Sequence, residues 1–213
     1  MGIHEAYILP AIMDVALAGL RDEREQLVGR AAGRVLEVGV GNGANLPFYP
    51  DAAREVVALE PCATVLARAQ KRLGKQARQQ PGIDLARYAF VRGGAEQMDF
   101  EDDSFDTAVA CLVFCTIPAA QRAASEVFRV LKPGGKLLFL EHVRCPPGTM
   151  QRVQNAINPA WKVFACGCHL NRDTEALFSD AGFAYNRIER YRNPKMSPPF
   201  AANMIKGEAL KPV

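Results

Sequence analysis

The chain has 213 residues, 49% of them hydrophobic and 23% charged, which suits one α/β domain with a sizeable core. Its 26 Lys and Arg against 23 Asp and Glu give a formal net charge of +3, too small to indicate a nucleic-acid partner. The six cysteines include no C-x-x-C pair and are too sparse for a disulfide scaffold, so we expect reduced thiols and a cytoplasmic protein.

The N-terminal region has a helical pattern. Residues 5–31 are typical of one or two amphipathic helices, and we expect residues 1–32 to form a helical lid over the site. The apolar stretch from Ile8 to Leu20 contains Pro10 and Asp14 and is too short to span a bilayer. It is suited to lie on a membrane surface, so this helix predicts a peripheral membrane contact.

Strand and helix patterns alternate along the rest of the chain. The apolar runs typical of strands are 34–39, 55–60, 86–92, 105–113, 136–142, 183–191 and 200–208. The helical patterns are 62–78, 119–131, about 149–165 and 172–181. This alternation predicts an α/β, Rossmann-like, doubly wound sheet that binds its ligand beyond the carboxyl ends of the strands.

The first strand leads into a glycine-rich turn, Glu37-Val-Gly39-Val-Gly41-Asn-Gly43. Glycine allows positive φ and close approach of a ligand, and a helix that follows offers free N–H groups. Gly39-x-Gly41-x-x-Ala44 also fits the dinucleotide pattern, so the turn alone leaves NAD and S-adenosylmethionine open. Glu60, at the end of the second strand, is placed to accept hydrogen bonds from the ribose of either ligand.

Three further segments follow in order: Gly94-Ala95-Glu96-Gln97-Met98-Asp99-Phe100, Asp103-Ser104-Phe105-Asp106 and Arg129-Val130-Leu131-Lys132-Pro133-Gly134-Gly135-Lys136-Leu137. With the glycine turn, they resemble the class I S-adenosylmethionine-dependent methyltransferases over residues 33–142. The resemblance implies S-adenosylmethionine as the cofactor. It also implies a seven-stranded sheet whose last strand is antiparallel.

By this resemblance, Glu37 supports the glycine turn and the methionine amino group, and Glu60 holds the ribose. Ala95 and Glu96 fall where the family binds the adenine edge. Cys111 and Leu112 fall beside the methionine and the sulfonium, although a buried, small apolar residue is an equal interpretation of Cys111. The implied cofactor-binding residues are Glu37, Gly39, Gly41, Gly43, Asn45, Glu60, Pro61, Ala95, Glu96, Cys111 and Leu112.

A narrower resemblance rests on Cys111-Leu-Val-Phe-Cys115-Thr-Ile, Glu141-His142-Val143, Asn158-Pro159-x-Trp161 and Gly167-Cys168-x-Leu170-x-Arg172. These segments resemble the methyltransferase-like thiol methyltransferases and their bacterial relatives, as far as about residue 182. The resemblance implies methyl transfer to a lipophilic small-molecule thiol. We expect one methyltransferase domain, 1–213, made up of the lid at 1–32, the cofactor-binding core at 33–142, an acceptor-side insertion at 143–182 and closing strands at 183–213.

Two histidines are candidate catalytic residues. His142 follows the fifth strand and is placed to take a proton from a thiol or to orient the acceptor. Its alternative interpretation is a histidine that fixes the loop through a backbone carbonyl. His169 lies in the insertion as a second candidate or as a surface residue, while Cys115 and the aromatic Phe114, Trp161 and Phe164 are expected to line the pocket.

Other functions stay open. N-methylation of a phospholipid such as phosphatidylethanolamine, or of another small amine, is the main alternative, with Arg144 and Arg152 to hold a phosphate. A non-catalytic adenosyl-binding module and an NAD-dependent dehydrogenase are more remote. No metal is expected, because Cys166-Gly-Cys168-His169 offers only three clustered ligands and no second pair.

Overall fold

Seven strands form one sheet in the structure, a computed structural model that describes residues 19–80, 82–165, 167–196 and 198–213. The strands are β1 (Gly33–Val38), β2 (Ala53–Glu60), β3 (Tyr88–Arg92), β4 (Phe105–Cys111), β5 (Leu131–His142), β6 (Ala184–Arg192) and β7 (Asn203–Leu210). The helices are α1 (Arg21–Val28), α2 (Ala63–Gln79), α3 (Ala120–Val130), α4 (Thr149–Phe164) and α5 (Thr174–Asp180).

The strand order is β3-β2-β1-β4-β5-β7-β6. β1 to β5 pair in parallel, whereas β7 runs antiparallel to both of its neighbours, β5 and β6. The doubly wound sheet with an antiparallel last strand is therefore confirmed. The carboxyl ends of β1, β2, β4 and β5 meet at one edge of the sheet.

Apolar residues cover both faces of the sheet because successive strand residues point to opposite sides. Leu36 of β1 and Phe139 of β5 belong to the core under α3 and α5. Val35 and Leu138, their neighbours in sequence, belong to the core under α1 and α2. This two-sided burial explains why these strands are continuous apolar runs.

Several strand boundaries differ from the sequence prediction. The strand predicted over 105–113 ends at Cys111 because Leu112 has a φ of +53°, which no strand residue adopts. The last strand begins at Asn203 because residues 199–201 form a 3-10 turn. The start of β5, by contrast, extends back to Leu131, with an irregular register against β4 between Phe105 and Thr107.

The predicted N-terminal helices are described only in part. α1 accounts for residues 21–28 of the pattern predicted over 5–31 and ends before Gly33. The helical lid and the membrane-surface contact fall largely on residues 1–18, which lie outside the described residues. Within the described part of the chain, no helix combines the length and apolarity needed to cross a bilayer.

Candidate functional site

The glycine turn after β1 has the conformation that the sequence predicts. Gly39, Gly41 and Gly43 have φ values of +65°, +55° and +78°, which disfavour other residue types. A Cβ on Gly39 would lie 2.3 Å from Cγ2 of Val113, so the loop after β4 closes tightly on this turn. The backbone therefore turns sharply at the carboxyl edge, and the side chain of Val113 fills the space beside Gly39.

Glu37 lies beneath this turn in a buried polar chain. Its Oε1 accepts a hydrogen bond from Nδ2 of Asn45 at 2.9 Å, and Oδ1 of Asn45 accepts one from Nη1 of Arg24 at 2.8 Å. Burial raises the pKa of Glu37 to about 7, against the lowering effect of Asn45, Tyr49 and Arg24. A carboxylate poised in this way is suited to a cationic partner such as an ammonium group.

Glu60 ends β2 and faces the same turn. Its Oε2 accepts from the backbone N–H of Gly41 at 3.2 Å, and its Oε1 accepts from that of Cys62 at 3.1 Å. Burial raises the pKa of Glu60 despite these two hydrogen bonds. The half-exposed carboxylate can still accept from a diol, since each oxygen has a second lone pair. Pro61, next in the chain, is exposed.

Ala95 and Glu96 follow β3 at the same edge of the sheet. Ala95 is buried in the core, whereas Glu96 is half-buried. The adjacent Met98 donates its backbone N–H to Oε2 of Glu126 at 2.8 Å, which fixes the loop to α3. The loop therefore presents a small side chain next to a carboxylate.

The end of β4 holds a strained residue. Leu112, with its positive φ, donates its N–H to the carbonyl of Leu140 at 2.8 Å. Such backbone conformations persist where the surroundings enforce them, often at functional sites. Burial, with Glu37 and Glu141, raises the pKa of Cys111, so this residue stays an uncharged thiol at neutral pH.

Glu141 holds the loop after β4, a role that the sequence analysis did not assign. Its Oε1 accepts the backbone N–H groups of Val113 and Phe114 at 3.0 and 3.1 Å. Burial raises the pKa of Glu141 to about 7 against these hydrogen bonds. The signal available in the sequence was a charged residue inside the apolar run of β5.

His142 does not face solvent. Its Nε2 lies 3.0 Å from Sγ of Cys168, and burial lowers the pKa of the imidazole to about 4. The structure thus places His142 at the carboxyl edge of the sheet, as the sequence predicts. Its hydrogen-bonding partner is the thiol of Cys168, whereas the alternative interpretation predicted a backbone carbonyl. Cys115 is buried beside this pair.

The other predicted catalytic and pocket-lining residues lie in different surroundings. His169 is half-buried, and its backbone N–H donates to the carbonyl of Cys115 at 2.8 Å. Phe114 is fully buried and packs edge-on against Phe178, so it belongs to the core rather than to a pocket wall. Trp161 packs against Phe200, and Phe164 is 70% exposed.

Comparison with known proteins decides between the cofactors that the glycine turn leaves open. Residues 36–139 match a family model described as a methyltransferase domain. The chain is 35% identical to the thiol S-methyltransferase TMT1B of Homo sapiens over 184 residues, 85% of this chain and 72% of the relative. The chain belongs to this methyltransferase family.

Two other known proteins are similar to this chain. A phosphatidylethanolamine N-methyltransferase of Cereibacter sphaeroides is 32% identical over 80% of this chain and 77% of that protein. The crystal structure of an S-adenosylmethionine-dependent methyltransferase from Mesorhizobium loti superposes with a TM-score of 0.63 at 17% identity, over 92% of this chain and 99% of that one. The enzyme is thus an S-adenosylmethionine-dependent methyltransferase.

The residues at the carboxyl edge fit this cofactor. Glu37 offers a buried carboxylate suited to an ammonium group, and Glu60 offers a half-exposed one suited to a ribose diol. The glycine turn between them has a positive φ at Gly39, Gly41 and Gly43, and the N–H of Gly41 lies 3.2 Å from Oε2 of Glu60. These groups would hold the two polar ends of S-adenosylmethionine, while Leu112 lies at the end of β4.

Proposed function

We propose that the methyltransferase transfers the methyl group to the sulfur of a lipophilic small-molecule thiol. The observation that carries this proposal is the state of His142, the histidine at the end of β5. It is buried, its Nε2 is engaged with Cys168, and burial lowers its pKa to about 4, so it is a weak base towards an acceptor. The similarity to thiol S-methyltransferases supports the same acceptor class.

A thiol suits a site without a strong base because a thiol loses its proton more readily than an alkylammonium group does. The ordinary thiol pKa of about 8.5 leaves a few per cent of thiolate at neutral pH, whereas an alkylammonium near pKa 10.4 leaves far less free amine. When bound, S-adenosylmethionine supplies a methyl group that its sulfonium already activates. The chain then has to orient the acceptor and exclude water.

Exposed apolar side chains at the end of α4, the helix that precedes Cys168 in the chain, favour a lipophilic acceptor. Val163 and Phe164, at the end of α4, are 75% and 70% exposed, although large apolar side chains are usually buried. Trp161, one turn earlier, is half-buried. These side chains can cover an alkyl or aryl group whose sulfur enters the site.

The phospholipid alternative finds less support in the geometry. Arg144, expected to hold a phosphate in that case, pairs its Nη2 with Oδ2 of Asp173 at 2.6 Å. Binding a phosphate there would require this ion pair to open. The phosphatidylethanolamine N-methyltransferase relative keeps this acceptor as the second candidate.

Partners and location follow as further parts of the proposal. We expect a small-molecule acceptor and no nucleic-acid partner, since the formal net charge is only +3. A cytoplasmic location, with peripheral membrane contact through the N-terminal helix, remains the expectation from the sequence.

The test measures S-adenosylhomocysteine formation by the purified enzyme. An alkyl thiol, the alcohol of the same chain length and phosphatidylethanolamine vesicles are compared, with Gly41→Arg as the control that blocks the cofactor site. Turnover on the thiol, absent with the alcohol and in Gly41→Arg, is the expected result. Turnover on the vesicles but not on the thiol would overturn the proposal in favour of the phospholipid.

A further inference from the structure

Three side chains from separate parts of the fold meet beside the proposed acceptor site. Cys115 lies in the loop after β4, His142 is the last residue of β5, and Cys168 follows α4. Their two sulfurs and one imidazole nitrogen all lie within 4.8 Å of one another. The residues are 3%, 5% and 9% exposed, so the group is sheltered from bulk water.

We propose that Cys115, His142 and Cys168 bind a zinc ion and leave its fourth tetrahedral position open. Zinc–sulfur distances near 2.3 Å and zinc–nitrogen distances near 2.0 Å place tetrahedral ligand atoms roughly 3.5–3.8 Å apart. The observed cluster needs only a small adjustment to reach this geometry, since Nε2 of His142 and Sγ of Cys168 are already 3.0 Å apart. Two thiolates and an imidazole select zinc over magnesium or calcium.

The charges around the cluster balance with the ion in place. Two thiolates neutralise a divalent cation, and Glu141 and Arg172 lie close enough to act electrostatically on both cysteines. These two groups carry opposite charges when ionised. Zinc would therefore enter a buried site without leaving an unpaired charge.

The number of ligands points to a reactive site rather than a structural one. Among the described residues, no fourth His, Cys, Asp or Glu joins the group. Structural zinc sites have four protein ligands, whereas catalytic sites have three and an open position. Cys115 also connects the cluster to the cofactor side, because its Sγ lies 3.7 Å from the carbonyl oxygen of Leu112.

The role of the open position rests on the proposed function. With zinc held by Cys115, His142 and Cys168, an acceptor thiol would bind at the open position as its thiolate, its proton would leave to solvent, and the metal would stay divalent. A thiol that coordinates zinc is deprotonated at neutral pH. The metal would thus supply the activation that the engaged His142 cannot provide.

This site departs from the sequence expectation of no metal. That expectation considered Cys166-Gly-Cys168-His169, of which only Cys168 takes part here. The fold instead brings Cys168 to two residues from the ends of β4 and β5.

The first test measures zinc content by mass spectrometry after purification without metal-affinity resin. The wild-type enzyme is expected to hold about one zinc per chain. Cys115→Ser, Cys168→Ser and His142→Gln should each weaken zinc binding by roughly a hundredfold or more. The matched control is Cys145→Ser, which changes another buried thiol outside the cluster.

The second test needs no variant, so it holds even where a substitution prevents folding. Cobalt(II) exchanged into the wild-type enzyme should show the thiolate-to-cobalt absorption and the intense visible bands of a tetrahedral thiolate site. An alkyl thiol should shift these bands, whereas the matching alcohol should leave them unchanged. Bands that do not respond to the thiol would overturn the open position.

Other outcomes would overturn the metal site itself. These are a wild-type enzyme that takes up no zinc, serine variants that retain it, or a disulfide between Cys115 and Cys168 found by thiol counting. Failure of the proposed function is distinguishable from these outcomes. In that case the zinc content and the cobalt spectrum would be as expected, but no thiol would be methylated.

Discussion

Glu60 connects the glycine turn to the ligand through one carboxylate. Because its oxygens already accept the N–H groups of Gly41 and Cys62, the carboxylate is fixed before any ligand binds. A fixed acceptor loses little conformational entropy when a ribose hydroxyl arrives. The residue therefore holds the turn and prepares an acceptor for the ligand at the same time.

Replacing Glu60 should weaken cofactor binding and also destabilise the turn, since the N–H groups of Gly41 and Cys62 lose their acceptor. Glu60→Ala removes charged acceptors that are each worth about 1.5–3 kcal/mol, so affinity for S-adenosylhomocysteine should fall roughly 10- to 100-fold. Calorimetric titration measures the affinity. The control is Glu55→Gln on the same strand, which changes a 44% exposed side chain paired with Arg34. Equal affinities in the two variants would contradict the role of Glu60.

Glu37 should make cofactor affinity depend on pH. Below its pKa of about 7 the group is protonated, and an ammonium ligand must displace that proton to bind. Affinity for S-adenosylhomocysteine should rise by up to about tenfold per pH unit below pH 7 and level off above it. In Glu37→Gln the rise should disappear, and a rise that persists there would assign it to another group.

The same group should affect the stability of the free enzyme in the opposite direction. Its folded pKa of about 7 lies above the ordinary value of 4.5, so the folded state holds this proton more tightly than the unfolded state does. The contribution of Glu37 to the free energy of unfolding is therefore full below pH 4.5 and is lost as the pH rises to about 7. Ligand binding should offset this loss, which links affinity and stability at one carboxyl.

At the scale of elements, the glycine turn packs directly on the backbone of α2. A Cβ added to Gly43, whose φ is +78°, would lie 3.1 Å from Cα of Ala69 and from Cδ1 of Leu46. The turn and the helix can approach this closely because neither presents a larger side chain. Their packing holds the turn at the carboxyl edge of the sheet.

Gly43, at this packing contact, and Gly74, inside α2, should respond to substitution by alanine in opposite ways. Gly43→Ala meets backbone atoms at a positive φ, so it should lower the free energy of unfolding by about 1–3 kcal/mol. Gly74→Ala lies inside α2 with open space around it and should raise that energy by about 0.5–1 kcal/mol. Urea denaturation measures both. Destabilisation by Gly74→Ala would show that α2 packs differently.

The regular elements were predictable from the sequence because their patterns are local. A strand is predicted by the apolar run from Val56 to Glu60, and a helix by the periodic pattern over 62–78. The structure contains both. The strand end at Cys111 was not predictable in this way. The positive φ of Leu112 depends on Leu140 and on loop contacts with Glu141, which lie about 28 residues further along the chain.

The candidate site shows the same difference between residues in local motifs and residues whose roles depend on distant contacts. Gly41 and Glu60 belong to sequence motifs, and the fold brings them to one edge, as predicted. Arg24 belongs to no motif and Glu141 was given no role of its own, and their roles follow only from burial and from hydrogen bonds to distant residues. The contact between His142 and Cys168 likewise depends on how the chain returns after α4.

At the scale of the whole molecule, α1 joins two distant parts of the sheet. Arg24 donates to the carbonyl of Ala44 at 2.9 Å beside the glycine turn. Oε1 of Glu23 accepts from Nδ2 of Asn193 after β6, and Arg30, two residues after the end of α1, pairs with Glu208 of β7 at 2.7 Å. One helix thereby ties the cofactor turn to the antiparallel edge that closes the sheet.

This connection predicts that Arg24 tunes the cofactor site without belonging to the sequence motifs. Arg24→Gln withdraws a positive charge that favours the ionised form of Glu37 and replaces the guanidinium that donates to Asn45. The pKa of Glu37 should therefore rise, and the pH at which affinity for S-adenosylhomocysteine levels off should move upward. At neutral pH we expect the affinity to fall by about tenfold, from the loss of one charged hydrogen bond.

The matched control is Arg21→Gln on the same helix. Both arginines lie over the ring of Phe48, at 5.0 and 5.3 Å, but the Glu37 chain runs through Arg24. Arg21→Gln should leave the pH dependence of the affinity close to that of the wild type, so a loss of the ring contact is separated from a loss of the charge. If both variants shift the pH dependence equally, α1 acts on Glu37 through its general field, and the chain Arg24–Asn45–Glu37 is not what connects them.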